Sequence, residues 1–188
     1  MKQAELIKKM SDQELKKQLL FSQSLFFILS IILSLFLFPK FSNWFMYLDV
    51  NVKQIIYYGC IPAIIVVLIE IVLHYIIPRR FFDDGGINEK IFKNQSIVSI
   101  FVIALVVAIS EEFLFRGVIQ TTFGYIFASS LFIVIHFRYL TKPVLLTLII
   151  LISFLLGYLF ELTGNLIVTI IFHFIVDFLL GIFIKYSK

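Results

Sequence analysis

Cysteine occurs once in the 188 residues, at Cys60 inside an apolar run. One thiol excludes an internal disulfide, and the chain carries no CxxC and no Cys/His metal cluster. Charge is scarce as well: Asp, Glu, Lys and Arg make up 15% of the residues, with a net charge of +4. The basic residues are scattered between apolar runs. That excludes a nucleic-acid-binding patch and reads as a membrane-orientation pattern. Internal repeats and low-complexity tracts are also lacking. What fills the chain is apolar: 61% hydrophobic residues, 23 Phe and a mean hydropathy of +1.03. Soluble domains sit near 45–50% apolar, and a chain of this length cannot bury such an excess in water. Lipid is the solvent that fits, and the length suits one domain.

A spanning helix needs about 20 mostly apolar residues, and the sequence predicts an all-α, polytopic membrane bundle of about six. They are expected near Leu20–Phe38, Ile55–Ile77, Ile97–Ile119, Thr122–Tyr139, Val144–Leu162 and Leu166–Ile184. Pro39 and Pro78 stop the first two, Pro143 opens the fifth, and the polar loop Arg79–Gln95 is the clearest linker. Residues 1–19 read as an interfacial segment and 20–188 as the membrane domain. The first apolar run is long and lacks a small-residue cleavage site, so it is expected to be a retained span rather than a signal peptide. Trp44, Tyr47, Tyr57 and Tyr58 lie near span ends and read as interfacial anchors. With the N-terminus inside, 13 Lys and Arg fall on the cytoplasmic side; only Lys40 and Lys53 fall outside, and Arg116 lies within a span. That asymmetry predicts a multi-pass protein of the cell membrane with both termini cytoplasmic.

Six residues stand out among the polar groups inside the predicted spans of the C-terminal half: Glu111, Glu112, Arg116, His136, His173 and Asp177. Four are formally charged, and at about 2.5–3.5 kcal/mol each they would together cost about 10 kcal/mol if unpaired. Such groups persist where they face the bundle interior, pair with each other or serve a reaction. Glu112 and Arg116 are four apart and share a helix face, as do His173 and Asp177, and as do Phe132 and His136. Glu111 is turned about 100° from Glu112 and points elsewhere. Glu70 and His74 have the same four-residue spacing and read as a structural pair near the cytoplasmic end of the second span.

A free carboxylate and two imidazoles from other helices suit water activation, with Glu111 as general base. The same groups also suit a divalent metal such as zinc, which would acidify its bound water. The spacing leaves metal-bound and metal-free water both open. One geometric difficulty stands out. In straight spans Glu111 lies about 21 Å from one face and His136 about 21 Å from the other, so tilt, a broken helix or different boundaries must reconcile their depths.

Three motifs occur in order on separate predicted spans. Glu111-Glu112-Phe-Leu-Phe-Arg116 has the form EExxxR, Phe132-Ile-Val-Ile-His136 the form FxxxH, and His173-Phe-Ile-Val-Asp177 the form HxxxN/D. Together, over about residues 97–184, they resemble the CPBP family of CAAX proteases and bacteriocin-processing enzymes, which includes the type II CAAX prenyl endopeptidases. The resemblance implies an intramembrane endopeptidase, often classed as a metalloprotease. In it Glu111 and His136 orient and deprotonate water, His173 and Asp177 steady the oxyanion, and Glu112, Arg116 and Phe132 support the site. If a metal is bound, its ligands would come from Glu111, His136, His173 and Asp177. Many members have Asn where this chain has Asp177, and an ionised Asp cannot donate a hydrogen bond to an oxyanion. The expected partners are the lipid bilayer and a membrane-associated peptide or protein substrate. Bacteriocin maturation, immunity to bacteriocins and regulated membrane-protein cleavage all suit the resemblance. Two competing readings are a non-catalytic scaffold or immunity protein of the same fold and a proton or ion transporter. The transporter reading lacks the inverted repeats and paired broken helices of that class.

Overall fold

The computed structural model describes residues 10–82 and 84–187, with the side chain at position 79 excepted. Lys2, Lys8, Lys9 and Lys188, all counted in the charge argument, lie outside the described residues. Helix α1 runs over Asp12–Leu37, α2 over Val52–Ile76, the short α3 over Ile87–Phe92 and α4 over Ile97–Phe123. Helix α5 covers Tyr125–Ile135, α6 Pro143–Thr163 and α7 Leu166–Tyr186. Five of these are long and apolar enough to cross a membrane: α1, α2, α4, α6 and α7. The described residues contain no strand.

Local chemistry sets the ends. Ser11 and Glu14 form a capping box: the Ser11 N–H donates to Glu14 Oε2 (2.8 Å) and the Glu14 N–H to Ser11 Oγ (3.3 Å). This starts the first helix at Asp12, so no break separates the predicted interfacial segment from the predicted span at Leu20. Asn51, Ser96 and Asn165 cap α2, α4 and α7 through their side-chain oxygens. Pro143 occupies the first turn of α6, where its missing N–H is not needed.

The fourth predicted span is corrected. The apolar stretch 122–139 holds a helix of 11 residues, α5, which at 1.5 Å per residue reaches about 16 Å, roughly half a bilayer core. The chain turns into it at Gly124, whose φ of 89° and ψ of 165° would strain any residue with a Cβ. His136 ends it with non-helical angles, and a 3-10 turn over Phe137–Tyr139 continues toward α6.

Helices α4 and α7 form the centre, with α1 and α5 against α4, α2 against α7, and α6 against α5 and α7. In α4, 44% of the spanning window is buried, against 17% in each of α1 and α2, so α4 is an inner helix and the latter two face lipid. Trp44 is a second correction. It is no interfacial anchor: it is buried, stacked on Phe113 (centroids 4.9 Å apart) and donates Nε1–H to Ser34 Oγ (3.1 Å). Its indole lies where a Cβ on Gly117 would stand, 2.6 Å from Cζ3, so only glycine allows this packing.

One end of the bundle gathers the N-terminal part, the 79–95 loop, the 138–142 turn and the C-terminus. Lys16 Nζ donates to Ser99 Oγ (2.6 Å), Lys185 Nζ to Gln95 O (2.7 Å) and Asn88 Nδ2 to Tyr139 OH (3.4 Å). At the other end Asn165 Nδ2 ties α7 to Asp49 O (2.8 Å). Lys16, Lys90 and Lys185, which the sequence put on one side, meet at the first of these ends.

Candidate active site

A cavity of about 530 Å³ lies between the helices, and Glu111, His136, His173 and Asp177 all line it. It extends past Asp84, Glu89 and Arg138 to the end that carries both described termini. The depth difficulty disappears because α4 runs on to Phe123, past the predicted end at Ile119, so that the turn comes at Gly124. From the turn at Gly124, Glu111 lies 13 residues back along one arm and His136 12 residues along the other. At 1.5 Å per residue both stand about 18–20 Å from the turn.

Just after the glutamates, the α-helix widens into π-helical turns over Phe113–Gln120, a departure that occurs frequently at functional sites. Glu112 and Arg116 sit across this junction, both almost wholly buried, with Arg116 Nη1 donating to Glu112 Oε1 at 3.1 Å. The same oxygen is 2.9 Å from His173 Nδ1, so one carboxylate oxygen serves two helices. Arg116 Nη2 donates to Ser153 O of α6 at 3.0 Å. The i,i+4 pair that the sequence places on one helix is thus the middle of a chain from α6 through α4 to α7. The sequence did not disclose the link from Glu112 to His173.

On its other ring nitrogen His173 faces Asp177, Nε2 to Oδ2 at 3.5 Å, and the Asp177 side chain is 31% exposed. His136 Nδ1 lies 2.7 Å from Phe132 O. A carbonyl accepts only, so Nδ1 carries the hydrogen and Nε2 of the neutral ring keeps its lone pair. The Phe132 ring stands between the groups: 4.6 Å from the His136 ring, 6.2 Å from the His173 ring, and under the Arg116 guanidinium at 4.5 Å. The phenylalanine of FxxxH thus packs against both imidazoles and the guanidinium. Outside the spans, Tyr139 stacks on His136 (6.0 Å), and burial pushes its phenol up, keeping it protonated.

Gln23 and Glu70 are among the polar side chains that line the cavity from α1 and α2. Gln23 of α1 is 4% exposed and donates Nε2–H to Glu111 Oε1 at 2.9 Å. Sequence reasoning passed over it; the signal was a lone amide beside Ser22 and Ser24 in an apolar run. Glu70 also lines the cavity, and its buried Oε1 has no hydrogen-bond partner among the described residues. Its predicted neighbour His74 packs its ring on Phe183 (5.1 Å) and Phe82 (5.4 Å).

The donor set in this arrangement does not fit a metal ion. Among the described residues no group of three or more His, Cys, Asp and Glu side chains is placed to hold one. His173 turns a ring nitrogen to each of two carboxylates, and one Glu111 oxygen is engaged by Gln23.

A model of the family described as type II CAAX prenyl endopeptidase Rce1-like matches residues 93–179. The protein YpbD of Bacillus subtilis (strain 168), described as uncharacterized, is 46% identical over 129 residues, which cover 69% of this chain and 68% of that protein. No solved structure matches. The matched segment opens just before α4 and closes inside α7, and so contains all three motifs whose side chains meet in the cavity. On that ground the chain belongs to the type II CAAX prenyl endopeptidase Rce1-like family.

Proposed function

We propose that the protein is an intramembrane endopeptidase that hydrolyses a peptide bond of a membrane-associated peptide or protein with a water activated by Glu111 and His136. The observation that carries this reading is the convergence of Glu111, His136 and His173, from three separate helices, on one cavity. Water held between the Glu111 carboxylate and the Nε2 lone pair of His136 loses its proton to Glu111 as its oxygen attacks the scissile carbonyl. The carbonyl oxygen gains negative charge and is stabilised by the Nε2–H of His173, which the long 3.5 Å separation from Asp177 Oδ2 leaves able to be shared. Asp177, beside Nε2, steadies the ring and its hydrogen; this role suits an acceptor and does not ask the aspartate to donate. Glu112, fixed by Arg116, holds the ring from the Nδ1 side. Glu111 then passes its proton to the leaving amine.

The cavity wall formed by Leu145, Leu148, Ile149 and Ile152 of α6 suits an apolar segment or anchor beside the scissile bond. Entry from the basic end, where the cavity opens, suits a cytoplasmic approach with both termini on that side of the cell membrane. The test is hydrolysis of a quenched-fluorescent peptide carrying an apolar anchor by protein reconstituted in liposomes. It is run alongside membrane proteomics of cells carrying wild type, Glu111→Gln or His173→Ala, and metal analysis of the purified protein. Hydrolysis and altered processing in wild type alone support the reading. Equal processing in all three strains, with no hydrolysis in vitro, rejects it in favour of a non-catalytic role. A pH-dependent ion flux that Glu111→Gln abolishes points to transport instead.

A further inference from the structure

Gln23 lies in α1, 70 residues before the segment the family model matches, and yet touches the proposed base directly. The contact has one sensible orientation. A carboxylate oxygen only accepts, so the amide must turn its NH₂ group toward Glu111 Oε1. That choice leaves Gln23 Oε1 buried with no hydrogen-bond partner among the described residues. An amide half-satisfied in a buried position is costly, and an apolar side chain of the same length would pack there without that cost. What the amide contributes in return is control of the carboxylate. With Oε1 held by an N–H, the side chain cannot swing freely, and the proton taken from water is directed to Oε2.

We propose that Gln23 is a positioning residue of the site, holding Glu111 by a single amide N–H so that Oε2 is the oxygen presented to the attacking water. The proposal rests on the protease reading above, but the contact itself is measurable without any substrate. It also makes α1 part of the machinery, although the three motifs lie wholly in the later helices.

Gln23→Met is the informative variant, because methionine keeps the length and unbranched shape and removes the donor. Gln23→Leu is the second, used if the first does not fold, with melting temperature in detergent as the check. In liposomes, on the anchored quenched-fluorescent peptide, kcat is expected to fall about 100-fold while KM stays roughly the same, as for a misplaced catalytic group. A merely structural residue would instead lower the amount of folded protein and leave kcat per folded molecule alone. Infrared difference spectra provide the readout independent of activity: the carboxyl band lost in Glu111→Gln belongs to Glu111, and Gln23→Met should shift it. An unmoved band, or a kcat within about twofold of wild type, overturns the proposal. If wild type hydrolyses the peptide no faster than Glu111→Gln, the protease reading fails and takes this role with it. The band then still reports whether Gln23 holds the carboxylate.

Discussion

The two halves of the chain treat buried polar groups in opposite ways. In α4–α7, Glu112, Arg116, His173 and Ser153 O form a continuous network in which one glutamate oxygen binds both an arginine and a histidine. In α1 and α2, which are mostly lipid-facing, Gln23 and Glu70 enter the same cavity outside that network, Gln23 with one bond to Glu111 and Glu70 with no partner for its buried Oε1 among the described residues. A networked group is expected to be indispensable to the fold, because removing one member strands the others. A solitary group can be replaced without unfolding, so its presence is better explained by what it does to the cavity.

The comparison can be broken in four places. Glu111→Gln should have the largest effect, a loss of about 10²–10⁴-fold in hydrolysis of the anchored peptide with the fold intact, since a general base is removed. Glu112→Gln should cost about 3–5 kcal/mol of stability, because it leaves the Arg116 charge buried and uncompensated; a thermal melt in detergent measures it. Gly117→Val should cost about 1–3 kcal/mol by forcing Trp44 off α4, and the emission of the sole tryptophan should change with it. Glu70→Gln should be nearly neutral, within about 1 kcal/mol, since no hydrogen bond to Oε1 is lost. If Glu70→Gln proves as damaging as Glu112→Gln, the contrast between the halves is wrong.

Much of this architecture is legible from local rules. The apolar runs and their proline and glycine boundaries follow from hydropathy and side-chain chemistry that each residue carries with it. The EExxxR, FxxxH and HxxxD spacings were readable because they are short and helical. Helix length was less so. Residues 122–139 are apolar throughout except near their end, and hydropathy does not register that Gly124 turns the chain and His136 ends the helix. Placing the turn before Thr122 instead of at Gly124, with the third span cut at Ile119, produced the apparent mismatch in depth between Glu111 and His136. Trp44 was misread for a related reason: proximity to a span end suggests the interface, whereas the missing side chain of Gly117, 73 residues away, opens a place for the indole inside.

The sequence by itself determined the solvent, the long helices and the residue types available for chemistry, because these depend on composition and on neighbours within a few residues. Only the tertiary structure decided that Glu112 joins Arg116 to His173, that Phe132 packs against both imidazoles and the guanidinium, and that Gln23 reaches Glu111 across 88 residues. Such contacts arise from how helices cross and rotate against one another, which the packing of the whole bundle sets and no single segment encodes.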